Sequence, residues 1–160
     1  MAVRTIVKDG DEILTKKCRP VVKFDAKLAM LLEDMADTMH RANGVGLAAP
    51  QVGILRRVVV IDIGKGVIEL VNPKIIAYSG EQVGNEGCLS FPGEWGVVKR
   101  PDFVKVKAQD RNGNEFTLEG RELLARAFCH EIDHLDGVVF KDVADRLLTP
   151  AEIEEMNRED

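Results

Sequence analysis

The run His130-Glu131-Ile132-Asp133-His134 places two imidazoles four residues apart, with a carboxylate directly after the first. On an α-helix, residues at that spacing lie one above the other on a single face, about one turn apart. Two neutral imidazoles so arranged can hold one divalent ion. A glutamate next to a ligand can then take a proton from a water without binding the ion itself. The chain has only 3 histidines, and two of them are here. Asp133 points away from both rings around the helix, so it reads as a carboxylate that supports the ligands without joining them.

A hydrolytic centre of this kind has three protein ligands and one open position. The candidate third ligand is Cys88, in Glu86-Gly87-Cys88-Leu89-Ser90. It lies 42 residues before His130, so only folding can bring it there. A thiolate is a strong ligand, and a bound ion keeps it deprotonated. One cysteine and two histidines, taken alone, indicate zinc. A further glycine-rich segment is Gly44-Val45-Gly46-Leu47-Ala48-Ala49-Pro50-Gln51. Its small residues let backbone or substrate approach closely, and the Gln51 amide could hold a developing oxyanion. Its glycines have the spacing of neither the phosphate-binding loop nor the dinucleotide fingerprint.

Other elements must position these groups. Asp25 reads as a helix N-cap, followed by Leu28, Leu31, Leu32, Met35 and Met39 at helical spacing, with Gly44 as the stop. The middle is β-rich. Arg57–Ile63 is a β-branched run suited to a buried strand, and 68–71 and 75–78 are two shorter candidates. Val104, Val106 and Ala108 alternate with polar residues, Asn112-Gly113 turns the chain, and Phe116 and Leu118 lie on the return strand. A second helix over about 121–135 carries the histidines, with Leu124, Phe128, Ile132 and Leu135 as its core stripe. Thr149-Pro150-Ala151-Glu152 has the residues of a capping box, so a short helix should occupy about 150–158. The expected class is α+β, with mostly antiparallel sheets around the central helix that carries HEIDH.

Length and composition bound the rest. A chain of 160 residues suits one catalytic domain, residues 1–160, and 45% apolar with 31% charged residues is a soluble globular composition. A net charge of −5 argues against a nucleic-acid binder that works by neutralising phosphates, although a local basic patch is compatible with it. Cys18, Cys88 and Cys129 form no disulfide framework, which fits a reducing compartment. No signal-peptide core and no run long enough to span a bilayer is visible, so the expected location is the cytoplasm, with no membrane or DNA partner.

The three segments together resemble peptide deformylase, the metallohydrolase that removes the formyl group from the N-terminal formyl-methionine of new proteins. Its motifs G-x-G-x-A-A-x-Q, E-G-C-x-S and H-E-x-D-H appear here in order as GVGLAAPQ, EGCLS and HEIDH. The resemblance implies that Cys88, His130 and His134 are metal ligands, that Glu131 is the general acid/base, and that Gln51 and the backbone N–H of Leu89 are oxyanion donors. It implies that Gly44, Gly46 and Glu86 shape the substrate site, and that Val45, Leu123 and Ala127 form the methionine pocket. It implies Fe(II) as the native metal, replaceable by Zn(II), Ni(II) or Co(II), and N-formyl-Met nascent polypeptides as substrates. Two positions depart from many members: Cys129 stands where Gln is common, and Trp95, read here as lying in a loop after EGCLS, stands where some carry Arg. Some members end in a long basic helix that docks on ribosomal RNA. The tail 150–160 here has five acids and one base, so any ribosome contact should be transient and not anchored by that tail.

Two other readings give different chemistry. A zinc endopeptidase shares H-E-x-x-H but usually completes its metal with His or Glu. A structural-metal module needs a fourth protein ligand, for which Cys129 is the thiol to inspect. Cys18 reads as a small buried hydrophobe, His40 as a polar residue near the end of the first helix, and Arg126 as a surface or packing residue.

Overall fold

The computed structural model describes residues 2–158; Glu159 and Asp160, two of the five tail acids, lie outside the described residues. The first helix, α1 (Ala26–Arg41), starts where its cap predicts, with the Asp25 carboxylate accepting from the Leu28 N–H at 3.1 Å. It ends earlier than expected. The left-handed residue after it is Asn43 (φ 57°) and not Gly44. Gly44 is small for another reason: a Cβ there would lie 2.6 Å from Leu89 Cδ1.

Five strands form one antiparallel sheet in the order β1-β2-β3-β6-β7: β1 (Gly46–Ala48), β2 (Val58–Ile61), β3 (Ile68–Ser79), β6 (Phe103–Gln109) and β7 (Glu115–Arg121). The β-branched run behaves as its composition demands. Val59 and Ile61 face one core, Val58 and Val60 the other, and all four are fully buried. The two candidate strands at 68–71 and 75–78 are one 12-residue strand interrupted by register shifts. Pro73 cannot donate to the ladder, and Asn72 turns into positive φ (50°), bonding Val21 and Gln109 with its side chain.

A second sheet, β4-β5-β8, consists of β4 (Gln82–Cys88), β5 (Phe91–Arg100) and β8 (Arg146–Leu147). The β4–β5 hairpin has little alternation to announce it, and Trp95 lies on β5 opposite Gly87 and not in a loop. Its ring covers Gly87, where a Cβ would meet three ring carbons at 3.0–3.1 Å.

The central helix is α2 (Leu123–Leu135). Ala125, Phe128, Ile132 and Leu135 pack on the Val59–Ile61 side of the large sheet, while α1 covers the opposite side through Leu28, Leu32, Met35 and Met39. Leu124 is only partly buried, so the core stripe is rotated slightly from the expected one. Asp136 and Gly137 (φ 75°) end the helix. A single turn, α3 (Phe140–Val143), follows. The last helix, α4 (Pro150–Arg158), has the reciprocal cap: Thr149 N–H to Glu152 Oε1 at 2.9 Å, and Glu152 N–H to Thr149 Oγ1 at 3.2 Å. Among the described residues no helix is long and apolar enough to cross a membrane.

Candidate active site

Helix α2 is buried on nearly every side, so its ligand face cannot turn to bulk water. It turns towards β4. There Cys88, at the strand end, brings its Sγ to 3.3 Å from His134 Nε2. One atom each from Cys88, His130 and His134 lies within 4.8 Å of the others, close enough to share one ion. Cys129 Sγ is not part of this group; its side chain belongs to the core, and burial pushes its thiol up to about 11. Cys18 behaves alike.

The donors fit a divalent cation. His130 Nδ1 is engaged by Glu86 Oε1 at 2.6 Å, which leaves Nε2 for the ligand side. Burial lowers the affinity of His130 for a proton, yet Glu131, Cys88 and Glu86 outweigh that and raise its pKa well above the ordinary value. The same anionic surroundings favour a cation beside the ring. His134 is driven down to about 3, first by burial and then by His130, so its ring is neutral and its lone pair is available. Two buried polar atoms without a hydrogen-bond partner among the described residues, His134 Nδ1 and Glu131 Oε1, both belong to this site.

Glu131 Oε2 lies 3.9 Å from His130 Nε2. Burial is the main cause that raises its pKa to about 7, against the pull of His130. Gly46 faces it directly. A Cβ on Gly46 would fall on the Glu131 carboxylate, with Cγ and Cδ at 2.9 Å, so only glycine leaves that carboxylate its place.

Gln51 lies in a short 3-10 turn, 49–52, directly after β1. Its Oε1 accepts from the Ala48 N–H at 3.0 Å, which sets the amide so that Nε2 faces Cys88 Sγ (3.4 Å) and Ser90 Oγ (3.1 Å). Ser90 is fully buried, and sequence reasoning assigned it nothing beyond its place in EGCLS. Arg126 is not the surface residue that one of its readings made it; it serves internal packing. It is buried and donates to Glu86 Oε2 at 2.7 Å and to the Val98 carbonyl at 3.2 Å. Its position one turn before His130 on the same helix face was the available signal.

Glu86 is the hub. Arg100 donates to both its oxygens (2.6 and 3.1 Å) and also to Asp133 at 2.7 Å. Burial pushes the Glu86 carboxyl up, but hydrogen bonds from His130 and Arg100 prevail and hold it at about 2. Asp133 therefore faces Arg100 and not the ligand group.

All of this lies at the base of a cleft of about 580 Å³. Gly44, Val45, Gly46, Glu86, Leu89, Leu123 and Ala127 line it, together with Gln51, Cys88, His130 and Glu131. His134 is fully buried behind them. The cleft runs between β1 and β4, the outer strands of the two sheets.

A sequence model of the polypeptide deformylase family matches residues 3–149. The peptide deformylase of Caldicellulosiruptor bescii is 61% identical over 155 residues, which are 97% of this chain and 93% of that one. The peptide deformylase of Thermoanaerobacter pseudethanolicus is 57% identical over 156 residues, 98% of each chain. The crystal structure of the peptide deformylase from Thermotoga maritima has a TM-score of 0.89 at 41% identity and covers 91% of this chain and 99% of that one. The endopeptidase and structural-metal readings fall with these matches. A helix that brings two histidines together, a cysteine delivered beside them from a strand end and a matching fold over nearly the whole chain agree on one conclusion: the chain belongs to the polypeptide deformylase family, the metalloenzymes that remove the N-formyl group from newly made polypeptides.

Proposed function

We propose that Cys88, His130 and His134 hold one divalent ion and that Glu131 is the acid/base of deformylation. One observation carries this: a thiol and two ring nitrogens converge at the base of an open cleft, with a buried carboxylate beside them. An ion bound there supplies Lewis acidity, which makes a water reactive near neutral pH. Glu131 takes the proton of that water and passes it to the leaving amine. Gln51 Nε2 and the Leu89 N–H donate to the oxygen on which charge develops. Glu86 touches no substrate in this scheme; fixed by Arg100 and Arg126, it holds His130 in one tautomer and one orientation.

Gly44, Val45, Gly46, Leu123 and Ala127 frame the methionine pocket. Val45 and Leu123 are apolar yet 39% and 50% exposed, so a seated side chain would cover them. Burying a methionine side chain contributes about 1.5–3 kcal/mol. The peptide lies extended beside β1 and takes main-chain hydrogen bonds from that free edge. The whole chain acts as one catalytic domain in the cytoplasm and meets its N-formyl-Met substrates on or near the ribosome.

Fe(II) is the working metal, with Zn(II), Ni(II) or Co(II) as replacements. Protein prepared without oxygen should contain about one ion per chain and release formate from formyl-Met-Ala-Ser. The iron form should lose activity in air, and a zinc-loaded form should keep what it has. Iron-loaded activity that survives air would reject iron as the sensitive species, and full metal retention by Cys88→Ala would reject the ligand set.

The tail stands apart from this machinery. Helix α4 has no buried residue, and its near contacts include an Asn85 to Met156 Sδ approach at 3.7 Å. Deleting residues 150–160 is expected to change formyl-Met-Ala-Ser turnover by less than about twofold, as for exposed segments generally. A large loss in kcat would show that α4 supports β4 and the cysteine ligand.

A further inference from the structure

Residues 2–8 lie outside every helix and strand, yet this segment is tied down at both ends. At its start the Ala2 N–H donates to Asp34 Oδ1 at 2.8 Å, the Arg4 guanidinium pairs with Asp34 Oδ2 at 2.9 Å, and the Arg4 N–H donates to Thr38 Oγ1 at 2.8 Å. Asp34 and Thr38 are buried polar residues one turn apart on α1, and the catalytic scheme uses neither. At its far end the segment meets the two stretches that carry the proposed oxyanion donors. The Val7 N–H donates to the Gln51 carbonyl at 2.7 Å, and the Asp9 N–H to the Ser90 carbonyl at 2.9 Å. Between them, Lys8 Nζ reaches the Leu89 carbonyl at 3.4 Å. Three consecutive residues therefore join the turn after β1 to the turn between β4 and β5.

The same two stretches also have a direct link, but it cannot do this work alone. Gln51 Nε2 contacts Ser90 Oγ at 3.1 Å and Cys88 Sγ at 3.4 Å. An amide nitrogen has two hydrogens, so one that turns to a substrate oxygen gives up one of these contacts. The side-chain link is thus weakened in the step where the spacing of the donors counts most. The main-chain link uses neither hydrogen and persists through that step. Donors fixed in advance are effective because they need not reorganise as charge develops.

We propose that residues 7–9 are a brace that sets the spacing of the two oxyanion donors, with the main-chain N–H groups of Val7 and Asp9 as its positioning groups. This rests on the reading of Gln51 and Leu89 as those donors. The brace acts through the carbonyls it holds, Gln51 and Ser90, and meets the reacting atoms nowhere. Asp34 and Thr38 complete it: they are buried on an otherwise apolar face of α1 because they hold the start of the segment.

Asp9 allows a test that spares the fold. It is exposed, and it is the second residue of a turn closed by the Asp11 N–H to Lys8 carbonyl bond at 3.2 Å, with Gly10 following at φ 98°. This is a type II turn, which favours proline at the second residue. Asp9→Pro keeps the turn, deletes the N–H and puts a ring carbon against the Ser90 carbonyl. Asp9→Ala changes only the side chain and keeps the N–H. In the metal-loaded full chain, Asp9→Pro should lose about tenfold in kcat for formyl-Met-Ala-Ser, because displaced donors cost less than the roughly 10²–10³ of a deleted one. Its KM should stay within about twofold of wild type, since the donors act in the transition state. Metal content should be unchanged, and Asp9→Ala should match wild type throughout. A general loosening of the fold would cost the same whatever stands at position 51. A brace acting through Gln51 would not: in a Gln51→Ala background, Asp9→Pro should cost about threefold or less. Wild-type kcat in Asp9→Pro, an undiminished loss in the Gln51→Ala background, or an equal loss in Asp9→Ala would each overturn the proposal. If Asp9→Pro does not fold, Lys8→Met deletes the Leu89 contact alone; it should lose about threefold in kcat, the worth of one such bond, and wild-type kcat there would overturn the proposal as well. Gln51→Ala by itself separates the two readings. Wild-type kcat in that variant would reject the donor assignment and the brace with it, whereas a loss there beside an unaffected Asp9→Pro would reject the brace alone.

Discussion

Glu131→Gln is expected to lose about 10²–10⁴ in turnover of formyl-Met-Ala-Ser, the usual contribution of a positioned acid/base. The change keeps the side-chain volume and removes only the proton acceptor. The space is already committed, because Gly46 leaves room for one carboxylate-sized group and no more. The variant should therefore fold, keep about one ion per chain and still bind a hydroxamate that chelates the metal. Proton transfer belongs to the transition state, so the loss should fall on kcat far more than on KM. His134→Ala gives the contrasting pattern. It removes a proposed ligand from a fully buried position, and metal and activity should disappear together. Metal analysis beside formate release distinguishes the two. A Glu131→Gln enzyme that keeps a tenth or more of wild-type kcat would end the assignment of Glu131 as the base.

The second large effect concerns Glu86. Its carboxylate joins Arg100, Arg126 and His130, and all four side chains are nearly or fully enclosed. Glu86→Leu would leave Arg126 with a single carbonyl and Arg100 with only Asp133, whose side chain is 32% exposed. An uncompensated buried charge costs about 3–5 kcal/mol. For a chain of this size that corresponds to a fall in Tm of roughly 10 °C. His130 would also lose the acceptor that fixes its tautomer, and such losses reduce metal affinity or activity by about 10–100-fold. Glu86→Leu/Arg126→Leu removes one stranded cation with its partner and should recover part of the stability but not the metal affinity. Denaturant midpoints and metal titrations of the single and double variants read the two effects separately. If Glu86→Leu matches wild type in both, the hub carries neither role.

The parts of this protein legible in its sequence are those set by neighbours a few residues apart. The pairing of His130 with His134 follows from the helical repeat. Asp25 capping α1 and the Thr149–Glu152 box are reciprocal bonds over three residues. The burial of Val58–Ile61 on both faces follows from four consecutive β-branched side chains. Cys88 and Gln51 were singled out by their motifs and the family resemblance those carry, and the fold does place them beside each other and the histidine pair.

What the sequence did not show depends on groups far apart in the chain. The hairpin of β4 and β5 is rich in glycine and charge, so alternation did not reveal it, and Trp95 was misread as a loop residue. Its placement rests on Glu86, which reaches Arg100 across 14 residues, Arg126 across 40 and His130 across 44. Gly44 looked like a helix stop, yet its smallness answers to Leu89, 45 residues on. The orientation of the Gln51 amide is set by Ala48 on one side and by Ser90 and Cys88 on the other. Residue types and local spacing determined which atoms could bind a metal and move a proton. Only the closed tertiary structure decided that they meet, because desolvated charges and hydrogen bonds between distant segments gain their strength when folding excludes water around them.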